Sequence, residues 1–312
     1  MEASEASGQV ASSSLRQVMR QHPLFFFFLM SFAGSWIISI PYVLSFWGIL
    51  PGDYTIANAM FILKPFVGPT LAAIVMTGII EGKAGLLRLL DRLRQRRAGW
   101  QWYLFILVGI PALLLLGIII QPGTLASFQG FTSIILVSYP VYFLVVFFGV
   151  AMPEEIGWRG FALPRMQPRY GPLWGTLLLG VLWGFWHLIF FLTPDHGGGP
   201  GTGFAPFLMS FPIFLLTVVA LAFIFTWVFN HTGGSIFISN LMHASIDTPQ
   251  LVWVPLFLGS SITGATNSTV GETTLDLALL IGFGVPALLI LILTRGRLGS
   301  QETGRTGNLE NI

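Results

Sequence analysis

The sequence predicts an all-α, polytopic membrane protein of about eight transmembrane helices, with any active site held inside the helix bundle. Three observations predict it. Hydrophobic residues fill 54% of the 312 positions and charged residues only 9%, with a mean hydropathy of +0.78. Soluble domains carry about 25% charged residues, so a surface this poor in charge has lipid as its solvent. Apolar runs of about 20 residues, the length that crosses a bilayer as a helix, recur along the chain. Finally, the cations are confined to alternate gaps between those runs.

The expected spans are Leu24 to Leu50, Ile56 to Ile80, Trp100 to Ile120, Phe131 to Met152, Leu173 to Leu192, Phe207 to Phe229, Ile236 to Leu258 and Leu275 to Thr294. Turn chemistry separates them, at Pro51-Gly52-Asp53, Pro122-Gly123, His196 to Pro200 and Thr232-Gly233-Gly234. With the N-terminus inside, 14 of the 15 Lys and Arg residues lie in the tails and in the gaps 81–99 and 153–172. That bias places both termini in the cytoplasm and supports an even helix count. Lys64 is the exception; it sits near the outer end of the second span, where it could snorkel. Trp47, Trp100, Trp102, Trp174, Trp227 and Trp253 mark span ends as an aromatic belt. Gly82 to Arg97 reads as an interfacial amphipathic helix with Leu86, Leu87, Leu90 and Leu93 on one face. The organisation is thus a polar tail over residues 1–22, a helical domain over 23–295 and a polar tail over 296–312. No internal repeat is visible. The apolar run after the N-tail is too long for a signal-peptide core and is read as a retained span.

There are no cysteines, which excludes disulfides, thiolate metal sites and a Cys nucleophile. No His-Glu-x-x-His zinc helix, Gly-x-Ser-x-Gly elbow, P-loop or dinucleotide fingerprint occurs. Nothing points to nucleic acid. Ionisable side chains inside a membrane are costly and mark function by default, and here they form three clusters. In Pro153-Glu154-Glu155-Ile156-Gly157-Trp158-Arg159, adjacent side chains on a helix point about 100° apart. Glu155 can therefore pair with Arg159 at i, i+4 and leave Glu154 to face a cavity as a candidate general base. The bland alternative is an ordinary charged helix end. His187 follows Trp183-Gly184-Phe185-Trp186 deep in an apolar run; its bland reading is a core histidine bonded to a carbonyl. Asn240, His243 and Asp247 share one face of their helix, either lining a cavity or acting as helix–helix glue. His22, His196 and His231 look incidental.

These three clusters, in this order on a polytopic chain, resemble the type II CAAX prenyl endopeptidases, the CPBP intramembrane proteases. That family's pattern is Glu-Glu-x-x-x-Arg, then Phe-x-x-x-His, then His-x-x-x-Asn or Asp. Here it is carried by Glu154-Glu155 with Arg159, by His187 and by His243 with Asp247, over residues 140 to 250. Gly160-Phe161 and Thr232 to Ile236 also fit. Trp183 stands where the pattern has phenylalanine; it keeps an aromatic ring and would reshape the pocket.

The resemblance implies hydrolysis of a peptide bond inside the membrane. Glu154 would activate water, His187 would help position it, and His243 with residue 247 would stabilise the oxyanion. Glu155 and Arg159, with Asn240, would support the architecture. An ionised Asp247 cannot donate to an oxyanion. It would orient His243, be held protonated, or join His187 and His243 as ligands of a Zn²⁺ ion; a metal and no metal remain equal alternatives. The implied partners are a peptide or protein substrate, prenylated in the family's eukaryotic members, and membrane lipid. The implied location is the plasma membrane. The competing reading is a catalytically inactive partner-binding or immunity protein of the same fold; a proton-coupled transporter is a third. One geometrical requirement stands out. Glu154 lies at the expected inner surface and His187 deep in a span, a mismatch that a break of the fourth segment at Pro140, Pro153 and Pro164, letting Glu154 dip inward, could resolve.

Overall fold

The computed structural model describes residues 15–51, 62–193, 205–258 and 269–300. The outer parts of both tails, the turn after Pro51, the glycine-rich turn containing His196 and the start of the second span lie outside those residues. Among the described residues the chain is helical, without strands. α1 is Pro23–Phe46; α2 is Leu71–Arg94, entered through a π-helical turn at Phe66–Thr70. α3 is Trp100–Ile119, with a π-helical stretch at Phe105–Gly109. α4 is Ile134–Val146, α5 Met152–Glu155 and α6 Leu163–Trp186, the last continued by a tighter helix at His187–Leu192. α7 is Ala205–His231, α8 Ile236–Val252, α9 Val254–Leu258 and α10 Thr269–Thr294.

Six helical runs among the described residues are long and apolar enough to cross a membrane. The expected fourth and fifth spans are joined in one run, Ile134–Leu192, of 59 residues. As a straight helix that run would reach about 90 Å, about three times the hydrocarbon thickness. It doubles back at Gly171, whose φ of 78° and ψ of 163° leave the helical region, a conformation open to glycine at little cost. The expected seventh span is divided into α8 and α9. α2 is likewise kinked at Gly82 (φ 64°), which separates its apolar half from the expected amphipathic segment. Leu87 and Leu90 of that segment are exposed, and Leu89, not named in the expected stripe, reaches toward Gly160.

Lipid as solvent explains the outer surface. Leu293, Leu136 and Ile292 are 81%, 79% and 70% exposed, as apolar side chains are when no water is there to drive them inward. Inside, α7 packs on α6 and α10, α10 on α3, and α8 on α4. α1 lays a stripe of buried serines, Ser31, Ser35 and Ser39, against the Phe66–Thr70 turn, small side chains of the kind that let membrane helices approach closely. The polar C-tail begins tied down: Leu298 is buried and its carbonyl accepts from the Asn230 amide at 2.9 Å.

Candidate active site

The Glu-Glu turn is short α5, flanked by π-helical segments at Phe147–Ala151 and Ile156–Ala162. Wide turns of this kind cluster at functional sites because they re-aim side chains and loosen the carbonyl ladder. Here the loosened carbonyls find other donors. The Arg92 guanidinium donates to the carbonyls of Arg159 (2.9 Å), Gly160 (3.0 Å) and Gly234 (3.0 Å). The Thr70 hydroxyl donates to the Pro153 carbonyl at 2.6 Å. Gly157 allows the segment to close against the Phe66–Thr70 turn; a Cβ there would collide with Pro69.

No break at Pro140 or Pro153 is needed to bring Glu154 inward. The helix runs on to Gly171, and Glu154 and His187 stand nearly the same number of residues from that kink on either side. The two arms of the hairpin therefore carry them to similar depth. Glu154 is 3% exposed.

The two glutamates point apart, as their spacing requires. Glu154 Oε2 accepts from the indole N–H of Trp158 at 3.2 Å and of Trp183 at 2.9 Å. Glu155 faces a packed ionic knot. Its Oε1 accepts from Arg159 Nη1 at 2.8 Å and lies 2.8 Å from His243 Nδ1, and the Arg159 guanidinium stacks over the rings of Trp183 and Phe225 at 4.3 and 3.9 Å. On its other side His243 Nε2 is 3.4 Å from Asp247 Oδ2, and Gln250 donates to Asp247 Oδ1 at 3.4 Å. His187 Nδ1 lies 2.9 Å from the Trp183 carbonyl. With the carbonyl as acceptor, Nδ1 holds the proton and Nε2 is the acceptor nitrogen of the neutral ring.

Glu154, His187, His243 and Asp247 all line one cavity of about 450 Å³, walled mostly by apolar side chains such as Val146, Phe191, Phe214, Leu221 and Phe225. Three separate helical elements contribute the four polar groups. Residues 136–249 match the family model described as type II CAAX prenyl endopeptidase, Rce1-like. The resemblance read from the motifs is borne out. The chain is also 26% identical over 234 residues to the CAAX prenyl protease 2 of Methanococcus maripaludis, covering 72% of this chain and 82% of that relative. The helical architecture makes it an integral membrane protein, and these matches make it similar to the type II CAAX prenyl endopeptidases.

Set against the family pattern, the structure corrects several expectations. Asn240 is buried but does not line the cavity, and its amide makes no hydrogen bond among the described residues. A shared helix face fixes angle and not depth, and Asn240 lies nearer the start of α8 than His243 and Asp247. Lys64 does not snorkel. It is 4% exposed, with its ammonium against the rings of Trp186 (4.3 Å) and Phe190 (2.9 Å), and it lines the same cavity. His187, His243 and Asp247 are not arranged as a ligand set. Among the described residues no three His, Asp or Glu side chains are placed to hold an ion, and both ring nitrogens of His243 face carboxylates. The residues present do not fit the Zn²⁺ alternative, so no step below passes through a metal.

Sequence reasoning missed the indoles of Trp158 and Trp183 as partners of Glu154. Trp158 stands at i+4 from Glu154, a spacing that could have suggested it. Trp183 was seen only as a ring in place of phenylalanine. Arg92, read as one of many interfacial cations, carried no signal for its carbonyl contacts.

Proposed function

We propose that the protein is an intramembrane endopeptidase that hydrolyses a peptide bond with a water activated by Glu154. The observation that carries this is the convergence of Glu154, His187, His243 and Asp247 on one largely apolar cavity. An apolar pocket with a few convergent polar groups is the usual form of a ligand or active site.

In this reading water sits between Glu154 and His187. Glu154 takes its proton while the oxygen forms a bond to the carbonyl carbon, and the C=O π pair moves onto oxygen as an oxyanion. His243 has carboxylate oxygens at both nitrogens and donates to both only as the doubly protonated ring; its positive charge then favours the developing oxyanion. Asp247 acts by holding that ring. Collapse of the tetrahedral intermediate breaks the C–N bond, and the leaving amine takes the proton back from Glu154. Glu155 and Arg159 keep the turn in place. The names of the matching family and relative point to a protein substrate with a prenylated CAAX end, and the apolar walls suit a lipid chain. Both termini would face the cytoplasm, with the site in the plasma membrane.

The test is turnover of a fluorescence-quenched peptide ending in a farnesylated CAAX sequence, by protein in lipid nanodiscs. Wild type should cleave it and Glu154→Gln should not, with unchanged thermal unfolding. Cleavage that persists in the Gln variant would remove Glu154 from the role of base.

A further inference from the structure

We infer that Trp158 and Trp183 are positioning residues that hold Glu154 by one carboxylate oxygen, Oε2, and present the other, Oε1, as the basic atom. The inference rests on the reading of Glu154 as base.

Both indole bonds fall on Oε2, at 3.2 and 2.9 Å, and Oε1 has neither. An indole N–H can only donate. Two such donors therefore favour an ionised oxygen at Oε2 and make it the worse place for an incoming proton. The donors also come from different elements. Trp158 lies one turn further along the chain from Glu154, and Trp183 belongs to the returning arm of the hairpin, so together they fix the plane of the carboxyl group, which one donor could not do.

The indoles are themselves closely packed. Trp158 is 0% exposed and packs edge-on against Phe27 and Trp186. Trp183 is 4% exposed, edge-on to Phe225 and beneath the Arg159 guanidinium. Trp183 moreover serves two groups at once: its side chain holds Glu154, and its main-chain carbonyl sets the tautomer of His187. Phenylalanine at this position would keep an aromatic ring and the carbonyl, and lose the bond to Glu154 together with the second ring of the indole. Trp183→Phe therefore removes that bond, and an isosteric bicycle without the donor isolates it.

For the farnesylated peptide in nanodiscs, Trp183→Phe should lower kcat about tenfold, the size of one hydrogen bond to a charged group, with KM within about twofold. A kcat that is unchanged or higher, or a KM that moves with kcat, overturns the inference. Where Trp183→Phe lowers the unfolding temperature, benzothienylalanine at 183, which has sulfur in place of the N–H in the same bicycle, decides between shape and donor. Glu154→Gln separates the two readings. Turnover that survives it removes the base assignment itself; a dead Glu154→Gln beside a fully active Trp183→Phe removes only the indole clamp. A readout independent of turnover is the Glu154 carboxylate stretch, isolated as the infrared difference between wild type and Glu154→Gln. It should shift in Trp183→Phe, and a band that stays in place counts against the clamp.

Discussion

The two sides of the Glu154-Glu155 turn carry the same functional group in opposite surroundings. On the Glu155 side the carboxylate is fully buried and tied to Arg159 and His243, with rings of Trp183 and Phe225 closing over the guanidinium. On the Glu154 side the carboxylate accepts from two neutral donors and faces a cavity whose wall also carries Lys64 and His243, neither of them bonded to it as Arg159 is to Glu155. A carboxylate neutralised by a fixed cation is a structural part; one steadied by neutral donors beside open space keeps its capacity to take a proton. On the proposed reading, identical chemistry at consecutive positions divides into support and reaction by direction.

Substitutions that separate the two sides test that division. The largest effect on turnover should come from Glu154→Gln, a loss of about 10² to 10⁴-fold, the range for a general base, with the unfolding temperature held. Were this variant also to unfold early, the distinction would fail at its first term. Next is Glu155→Gln. It leaves the fully buried Arg159 short of its partner, a change that costs about 3–5 kcal/mol in a buried pair. Thermal unfolding in nanodiscs should drop well before kcat per folded molecule does. Gly157→Ala forces a methyl into Pro69 and should cost about 1–3 kcal/mol as overpacking, read as a lower unfolding temperature together with reduced turnover. The smallest effect belongs to Asp247→Asn. The side chain of Asp247 is 31% exposed and Asn retains an acceptor for His243, so kcat should change by less than about tenfold, within the loss expected of one hydrogen bond to a charged group. A loss as deep as that of Glu154→Gln would move Asp247 into the reacting set.

Much of this was legible in the chain. Apolar length announced the spans, and i, i+4 spacing announced the Glu155–Arg159 pair, because helix geometry is local. The placement of His243 and Asp247 on one cavity-lining face follows from the same periodicity. Depth was not legible. The sequence put the end of the fourth span at Met152 because Glu154, Glu155 and Arg159 looked like an aqueous boundary. In the fold those charges satisfy one another inside the bundle, and the helix continues to Gly171. Lys64 misled for the same reason: a lone cation near a span end reads as interfacial until the rings that receive it are known.

What the sequence by itself determined was the solvent, the helices and the identity of the polar groups, since these follow from composition and short-range spacing. What only the tertiary structure decided was convergence: that the hairpin at Gly171 returns Trp183 onto Glu154, that His243 reaches Glu155 across 88 positions of chain, and that Asn240 stays outside the cavity. Those contacts join residues far apart in sequence. They depend on where helices kink and how closely they pack, which glycines, π-helical turns and buried ring contacts set together and no single stretch of sequence encodes.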